Sequence, residues 1–168
     1  QSPLKLDQLP QAEDRQRLEM VQLAISGNPH FEVDDREIRR GGTSYTVDTV
    51  SELSAELQPA GLVFLMGADS LRDFHAWREP AKICELAFVA VLARGGHPPP
   101  DLDLLLPHLP PSQHSELVSH LIEMPQLEIS SSDIRERIST GRSTRYLLHP
   151  AVQAYIQAHS LYQNPAAE

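Results

Sequence analysis

Leu62-Val63-Phe64-Leu65-Met66, closed by Gly67-Ala68-Asp69-Ser70, is the stretch that decides the fold. An unbroken apolar run ending at a glycine reads as a parallel-sheet strand buried on both faces, because such strands do not alternate with polar residues. Ala87-Phe88-Val89-Ala90-Val91-Leu92, closed by Arg94-Gly95-Gly96, repeats the pattern, and Leu121-Ile122-Glu123-Met124 offers a further short strand. Helical patterns surround these runs. From Ala12 to Ser26 the residues Leu18, Val21, Leu23, Ala24 and Ile25 form an apolar stripe, and Gly27-Asn28-Pro29 stops it. Thr46 to Leu57 reads as a second helix, Ser70 through Trp77 to Cys84 as a polar helical stretch, and Ser132–Ser139 and Ala151–His159 as two more. Phe31-Glu32-Val33 reads as a short strand leading into the charged segment Asp34 to Arg40, with Gly41-Gly42 a flexible break. Residues 1 to 10 read as a loop, and the proline-rich stretch from His97 to Gln113 as irregular with one short helical piece. Buried strands alternating with helices predict an α/β domain with a parallel sheet.

The bulk composition narrows the partners. A chain of 168 residues suits one domain with a real core. A formal charge of −9 and a pI near 5.3 argue against nucleic acid, whose phosphates would be repelled. They leave room for a phosphorylated small molecule at a local cluster of arginines. The single cysteine, Cys84, excludes an internal disulfide and fits a reducing cytoplasm. No apolar stretch approaches a membrane span and no signal-peptide pattern opens the sequence, so a cytoplasmic location without membrane contact is expected. The eight histidines are scattered, and His108, His114 and His120, six residues apart, do not share a helix face. They form neither H-E-x-x-H nor a Cys/His cluster, so no protein-held metal is expected. No G-x-S-x-G nucleophile motif occurs.

Open parallel sheets bind ligands outside the carboxyl ends of their strands, which makes the residues closing each run candidates. Gly67 allows close backbone approach, and Asp69 stands two positions on. Asp69 suits ribose hydroxyls, and equally the N-cap of the following helix. Arg94 ends the second run, either as a site guanidinium or as a solvated rim residue. Trp77, the only tryptophan, reads as a core anchor or, with Arg78 beside it, as a stacking platform for a flat or cationic ring. Ile129-Ser130-Ser131-Ser132-Asp133-Ile134-Arg135 places hydroxyls at a helix start, where unpaired N–H groups and the positive dipole end suit an anion. Ser130 with Asp133 matches the capping pattern S-x-x-[DE]. Arg135 adds a forked donor for phosphate oxygens. An ordinary cap with a surface arginine is the other reading of this motif.

In their order and spacing, several segments together resemble the bacterial nicotinate-nucleotide adenylyltransferases. They are Glu37-x-x-Arg40, Ser44-Tyr45-Thr46-x-x-Thr49, Phe64-Leu65-Met66-Gly67-Ala68-Asp69-Ser70-Leu71, Trp77, Ile129 to Arg135, and Pro150-x-Val152-x-x-Tyr155-Ile156 with His159-x-Leu161-Tyr162. The resemblance runs from Ala12 to Tyr162. It implies a Rossmann-like nucleotidyltransferase fold, a parallel sheet with helices on both faces, formed as a single domain over residues 1–168. It implies transfer of the adenylyl group of ATP to nicotinate mononucleotide, giving deamido-NAD and pyrophosphate in NAD synthesis. Ser131, Ser132 and Arg135 would hold ATP phosphates, with Arg135 the catalytic residue among them. Gly67 and Asp69 would face the adenosine ribose. Trp77 and Arg78 would meet nicotinate mononucleotide, Trp77 by stacking on its pyridinium ring. Thr46 with nearby amides would meet the nicotinate carboxylate, and Arg94 the nucleotide phosphates. Mg²⁺ would arrive on the ATP phosphates.

This sequence departs from the family pattern in two places. The glycine-rich first strand and the H-x-G-H histidines, which the family sets against the reacting phosphates, do not occur in residues 1–168. The resemblance places that first strand–helix–strand unit ahead of Gln1, so the expectation is an N-terminally incomplete sequence, inactive by itself, with the run Leu62 to Met66 exposed on an unpaired edge. The alternative is a catalytically inactive nucleotide-binding paralogue, a sensor that kept the substrate contacts. Ser132 stands where the family usually carries threonine, which keeps the hydroxyl.

Overall fold

In the computed structural model the described residues are 12–57, 61–94 and 98–163. The reading of residues 1 to 10 as a loop lies outside them, as do Gly95, Gly96 and His97. The described residues group into two compact units, residues 42–127 and residues 12–41 with 128–163.

The first unit is built on a three-stranded parallel sheet in the order β1 (Val63–Gly67), β2 (Phe88–Arg94), β3 (Leu121–Met124). Val63 lies opposite Phe88 and Gly67 opposite Leu92; across β2, Val91 faces Leu121 and Arg94 faces Met124. All carboxyl ends therefore leave on one side. β2 is buried on both faces as its sequence predicts, with Val89, Ala90 and Val91 at 0%, 1% and 0% exposure. β1 departs from the reading as a strand buried on both faces and agrees with the expectation of an unpaired edge. Met66 is buried and Phe64 half-buried, while Val63 and Leu65 are 54% and 57% exposed. Among the described residues β1 is a sheet edge, and the two-residue period turns only one of its faces to the core.

That core joins Met66, Val89 and Val91 to Val47 and Val50 of α3 (Thr46–Glu56), Leu71 of α4 (Ala68–Arg72) and Ile83 and Cys84 of α5 (Pro80–Leu86). Each large aliphatic side chain buried this way contributes about 1.5–3 kcal/mol relative to exposure. Burial pushes the Cys84 thiol up to about 11, which keeps it unreactive. The helix expected from Ser70 to Cys84 is broken into α4, a 3₁₀ turn at Phe74–Ala76 and α5. Pro80 is the cause. It cannot continue a helix, it disfavours helical backbone at the residue before it, and Glu79 there adopts φ 50°. The proline-rich region holds two 3₁₀ segments, Leu102–Leu105 and Pro111–His120, rather than the one helical piece expected. His120 is fully buried, stacked on Phe88 at 4.2 Å, and donates from Nδ1 to the Val89 carbonyl at 2.5 Å. It ties the start of β3 to β2.

The second unit holds α1 (Asp14–Ile25), α2 (Arg36–Arg40), α6 (Ser131–Ser139) and α7 (Pro150–Ala158). Glu13 and Gln16 close a capping box at the start of α1. Ala12, Val152, Ile156 and Leu161 form the buried centre, with Met20, Leu23 and Ile138 around it. At its rim the Tyr155 hydroxyl donates to the Glu19 carboxylate. Phe31-Glu32-Val33 is not a strand: among the described residues no strand pairs with it, and Phe31 is exposed. The segment from Asp34 ends as the short helix α2.

Candidate active site

At the carboxyl end of β1, Gly67 caps α4 with extended backbone, and a Cβ placed on it would meet nothing within 4 Å. The space over this peptide is open to a ligand. Asp69 is not the N-cap, which corrects one of its two readings; Gly67 holds that position, and Asp69 falls in the first turn. The Asp69 carboxylate is 82% exposed and 3.8 Å from Arg72. So open an ion pair holds its partners weakly, and the carboxylate can turn to a hydroxyl. Arg94 is the last residue of β2, opposite Met124 on the same sheet edge.

A second group gathers at the start of α3. Tyr45 precedes the helix without a side-chain cap, and Thr46 is its first residue, half-buried. The opening N–H groups of a helix point outwards without intrahelical partners, so this end favours a negative group. The Arg78 guanidinium lies over the Tyr45 ring, 4.8 Å from its centroid. It sits 3.9 Å from Asp48 and 3.7 Å from Glu79. Trp77 packs edge-on against Phe74 at 5.4 Å and Phe64 at 6.1 Å. It is half-buried, and its indole N–H has no hydrogen-bond partner among the described residues. Trp77 is thus anchored on the core while part of its ring remains accessible.

The serine motif lies in the second unit. Ser130 caps α6, its Oγ accepting the N–H of Asp133 at 3.1 Å. The Asp133 carboxylate goes to Arg137 at 2.8 Å instead of returning to the cap. Ser131 and Ser132 are exposed in the first turn, and Arg135 reaches the Ser132 hydroxyl at 3.4 Å. Capping is thereby done by Ser130 alone, and the other two hydroxyls face solvent beside a guanidinium.

Thr46, Trp77 and Arg78 are thus neighbours, Gly67 and Asp69 share the end of β1, and Ser131, Ser132 and Arg135 share the first turns of α6. A cavity of about 310 Å³ beyond the C-terminal end of α6, lined by Gly141, Arg142, Thr144 and Ile156 among others, includes none of these residues. Among the described residues no three His, Cys, Asp or Glu side chains gather to hold a metal. Burial, and then neighbouring His75, hold His108 below the ordinary imidazole value. Tyr45 and Asp48 were missed as site residues from sequence. Their three-residue spacing puts both on one face of the helix start, but their contact with Arg78 is tertiary.

Residues 1–137 match the cytidylyltransferase-like family profile, more than half of the chain. A protein of Rhodopirellula baltica is 41% identical over 96% of this chain and 75% of its own length, and one of Thermomicrobium roseum 42% identical over 90% and 69%. Each is described as a probable nicotinate-nucleotide adenylyltransferase. The chain belongs to this family of nucleotidyltransferases, the nicotinate-nucleotide adenylyltransferases. Among solved structures, the Plasmodium falciparum nicotinic acid mononucleotide adenylyltransferase complexed with NaAD aligns over 94% of this chain and 77% of its own, with a TM-score of 0.67 at 21% identity. That likeness establishes the Rossmann-like fold. No helix among the described residues is long and apolar enough to cross a membrane.

Proposed function

We propose that this chain holds ATP and nicotinate mononucleotide for adenylyl transfer, the reaction named for its relatives. The observation that carries the proposal is the supply of three unspent recognition elements by the residues the family motif picks out. These are the open peptide at Gly67 with Asp69, the uncapped start of α3 beside Trp77 and Arg78, and the two exposed hydroxyls of α6 beside Arg135.

In the reaction a phosphate oxygen of the mononucleotide attacks the α-phosphorus of ATP. The new O–Pα bond replaces the bond to the β-phosphate, and pyrophosphate departs with the electron pair. No covalent enzyme intermediate is involved, so catalysis rests on positioning and on stabilising charge. Ser131, Ser132 and the α6 N-terminus hold the ATP phosphates, while Arg135 offsets charge on the leaving group. Asp69 takes the ribose hydroxyls above Gly67. Thr46 and the first α3 amides take the nicotinate carboxylate, Trp77 stacks on the pyridinium, and Arg94 lies towards the nucleotide phosphates. Mg²⁺ enters as part of the MgATP substrate. The setting is cytoplasmic.

Calorimetric titration tests the assignment. One MgATP and one nicotinate mononucleotide are expected to bind per chain, with Asp69→Asn weakening the first and sparing the second. Loss of both affinities together, or of neither, would overturn it.

A further inference from the structure

Phe74 is fully buried and carries two edge-on ring contacts. Trp77 meets it at 5.4 Å and His108 at 5.5 Å, with interplanar angles of 67° and 89°. The indole N–H of Trp77 has no hydrogen-bond partner among the described residues, so ring packing rather than a directed bond holds the indole in place. His108 joins this row from a distant part of the sequence, the turn between the 3₁₀ segments Leu102–Leu105 and Pro111–His120. Leu105 and Leu109, before and after it, are buried in the same core as Phe74. They pin the turn and leave the imidazole half-buried at its edge.

We infer that His108 is a positioning residue for the acceptor: through Phe74 it sets the seat of Trp77, and its protonation loosens that seat. The inference rests on the proposed function, in which Trp77 stacks on the pyridinium. The imidazole fits against Phe74 only while it is neutral. Burial, and then the neighbouring His75, oppose its charge and hold it below the ordinary 6.5. His75 is itself held in place, its Nδ1 donating to the Arg72 carbonyl at 3.1 Å. On the other elements packed here, Asp69 and Arg72 of α4 pair with each other, and His114 bonds the Leu109 carbonyl at 3.1 Å. Asp73, Asp101, Asp103 and Glu116 are exposed, and none of these carboxylates offsets a charge on His108. A protonated ring therefore meets a like charge and an apolar wall, and turns out to water. Phe74 then loses one of its two edge-on contacts, and Trp77 the firmness of its support.

Trp77 is the only tryptophan of the chain, so its fluorescence reports on this seat with or without ligand. The experiment follows it between about pH 5 and pH 8 in the full chain and its variants, with thermal melts establishing that each is folded. Without ligand, the emission of the natural chain is expected to move to longer wavelength as pH falls, with a midpoint below 6.5. His108→Phe keeps the ring contact and cannot titrate, so its emission should stay constant. His75→Gln removes the like charge and should move the midpoint upwards. Nicotinate mononucleotide is then titrated into each chain. Its phosphate has a second pKa of about 6, so the chains are compared at the same pH. At about pH 8, His108→Ala should weaken binding about threefold and His108→Phe should restore it. At about pH 5.5, His108→Phe should bind about threefold more tightly than the natural chain. Emission that follows pH in His108→Phe as it does in the natural chain overturns the inference. So does a His108→Ala chain that melts lower with unchanged mononucleotide affinity. Failure of the natural chain to bind the mononucleotide overturns the proposed function, while the ligand-free emission still decides whether His108 seats Trp77.

Discussion

The Ser130 hydroxyl accepts the N–H of Asp133 at 3.1 Å, and this one bond divides the work among three adjacent serines. Ser130 stabilises the helix, while Ser131 and Ser132 stay exposed in its first turn. Ser130→Ala should cost about 1 kcal/mol of stability, the usual value of a lost N-cap. Ser131→Ala and Ser132→Ala should leave the melting temperature unchanged and weaken MgATP binding. Arg135→Ala should weaken it more, by roughly 1.5–3 kcal/mol for a charged hydrogen bond. Denaturation and calorimetry on the four variants separate these roles. A stability loss at Ser132 equal to that at Ser130 would return the motif to an ordinary cap.

Gly67→Ala is expected to fold normally, because the added methyl meets no atom within 4 Å and the backbone there is extended. Its effect should appear only when the adenosine half of a substrate has to lie against that peptide. A normal melt with weakened MgATP affinity is the expected pair of results. A lower melting temperature with intact affinity would mean that the space over Gly67 serves the fold.

Trp77→Ala should show two losses at once. Its edge-on contacts with Phe64 and Phe74 are part of the core margin, so the melt should fall by about 2 kcal/mol, less than a fully buried aromatic loses. Nicotinate mononucleotide should bind about 0.5–2 kcal/mol more weakly for want of the stacked ring. MgATP affinity should hold. Reduced stability with undiminished acceptor affinity would leave Trp77 purely structural.

The pairing of Tyr155 with Glu19 predicts a pH signature. The Tyr155 hydrogen bond, and then Arg15, hold the Glu19 carboxyl below its ordinary 4.5. The unfolded chain therefore binds more protons there, and this stabilisation is present above pH 4.5 and lost as pH falls below it. The Tyr155 phenol is raised above 10 by the same bond, so its share is present below pH 10 and lost on going higher. The stability gap between the natural chain and Tyr155→Phe should be widest between these limits and close at both ends. A gap independent of pH would show that only packing was lost.

The sheet was legible because apolar runs such as Ala87 to Leu92 admit few other readings, and the helices because their stripes and stops are local. What was illegible depends on neighbours. A run such as Val63 to Met66 carries no mark of whether both its faces are covered. Phe31 to Val33 looked like a strand because the pattern says nothing of a missing ladder partner. His120 appeared to be one of several scattered histidines, yet its bond to Val89 spans 31 residues of sequence. The site behaved likewise. Ser130 to Arg135 and Gly67 to Asp69 are contiguous motifs and stood out. Arg78 over Tyr45 is a tertiary contact, invisible until the chain folds.

Adenylyl transfer itself is the most direct test of the central claim. These 168 residues contain no H-x-G-H pair, so turnover is proposed for them only together with the family's H-x-G-H segment. The measurement supplies MgATP with nicotinate mononucleotide or with a phosphorylated acceptor lacking a pyridine ring, and follows pyrophosphate and dinucleotide together. The account predicts one pyrophosphate for each deamido-NAD, formed only with the pyridine acceptor and suppressed by Arg135→Ala. Pyrophosphate released equally with the ringless acceptor, or turnover untouched by Arg135→Ala, would contradict it.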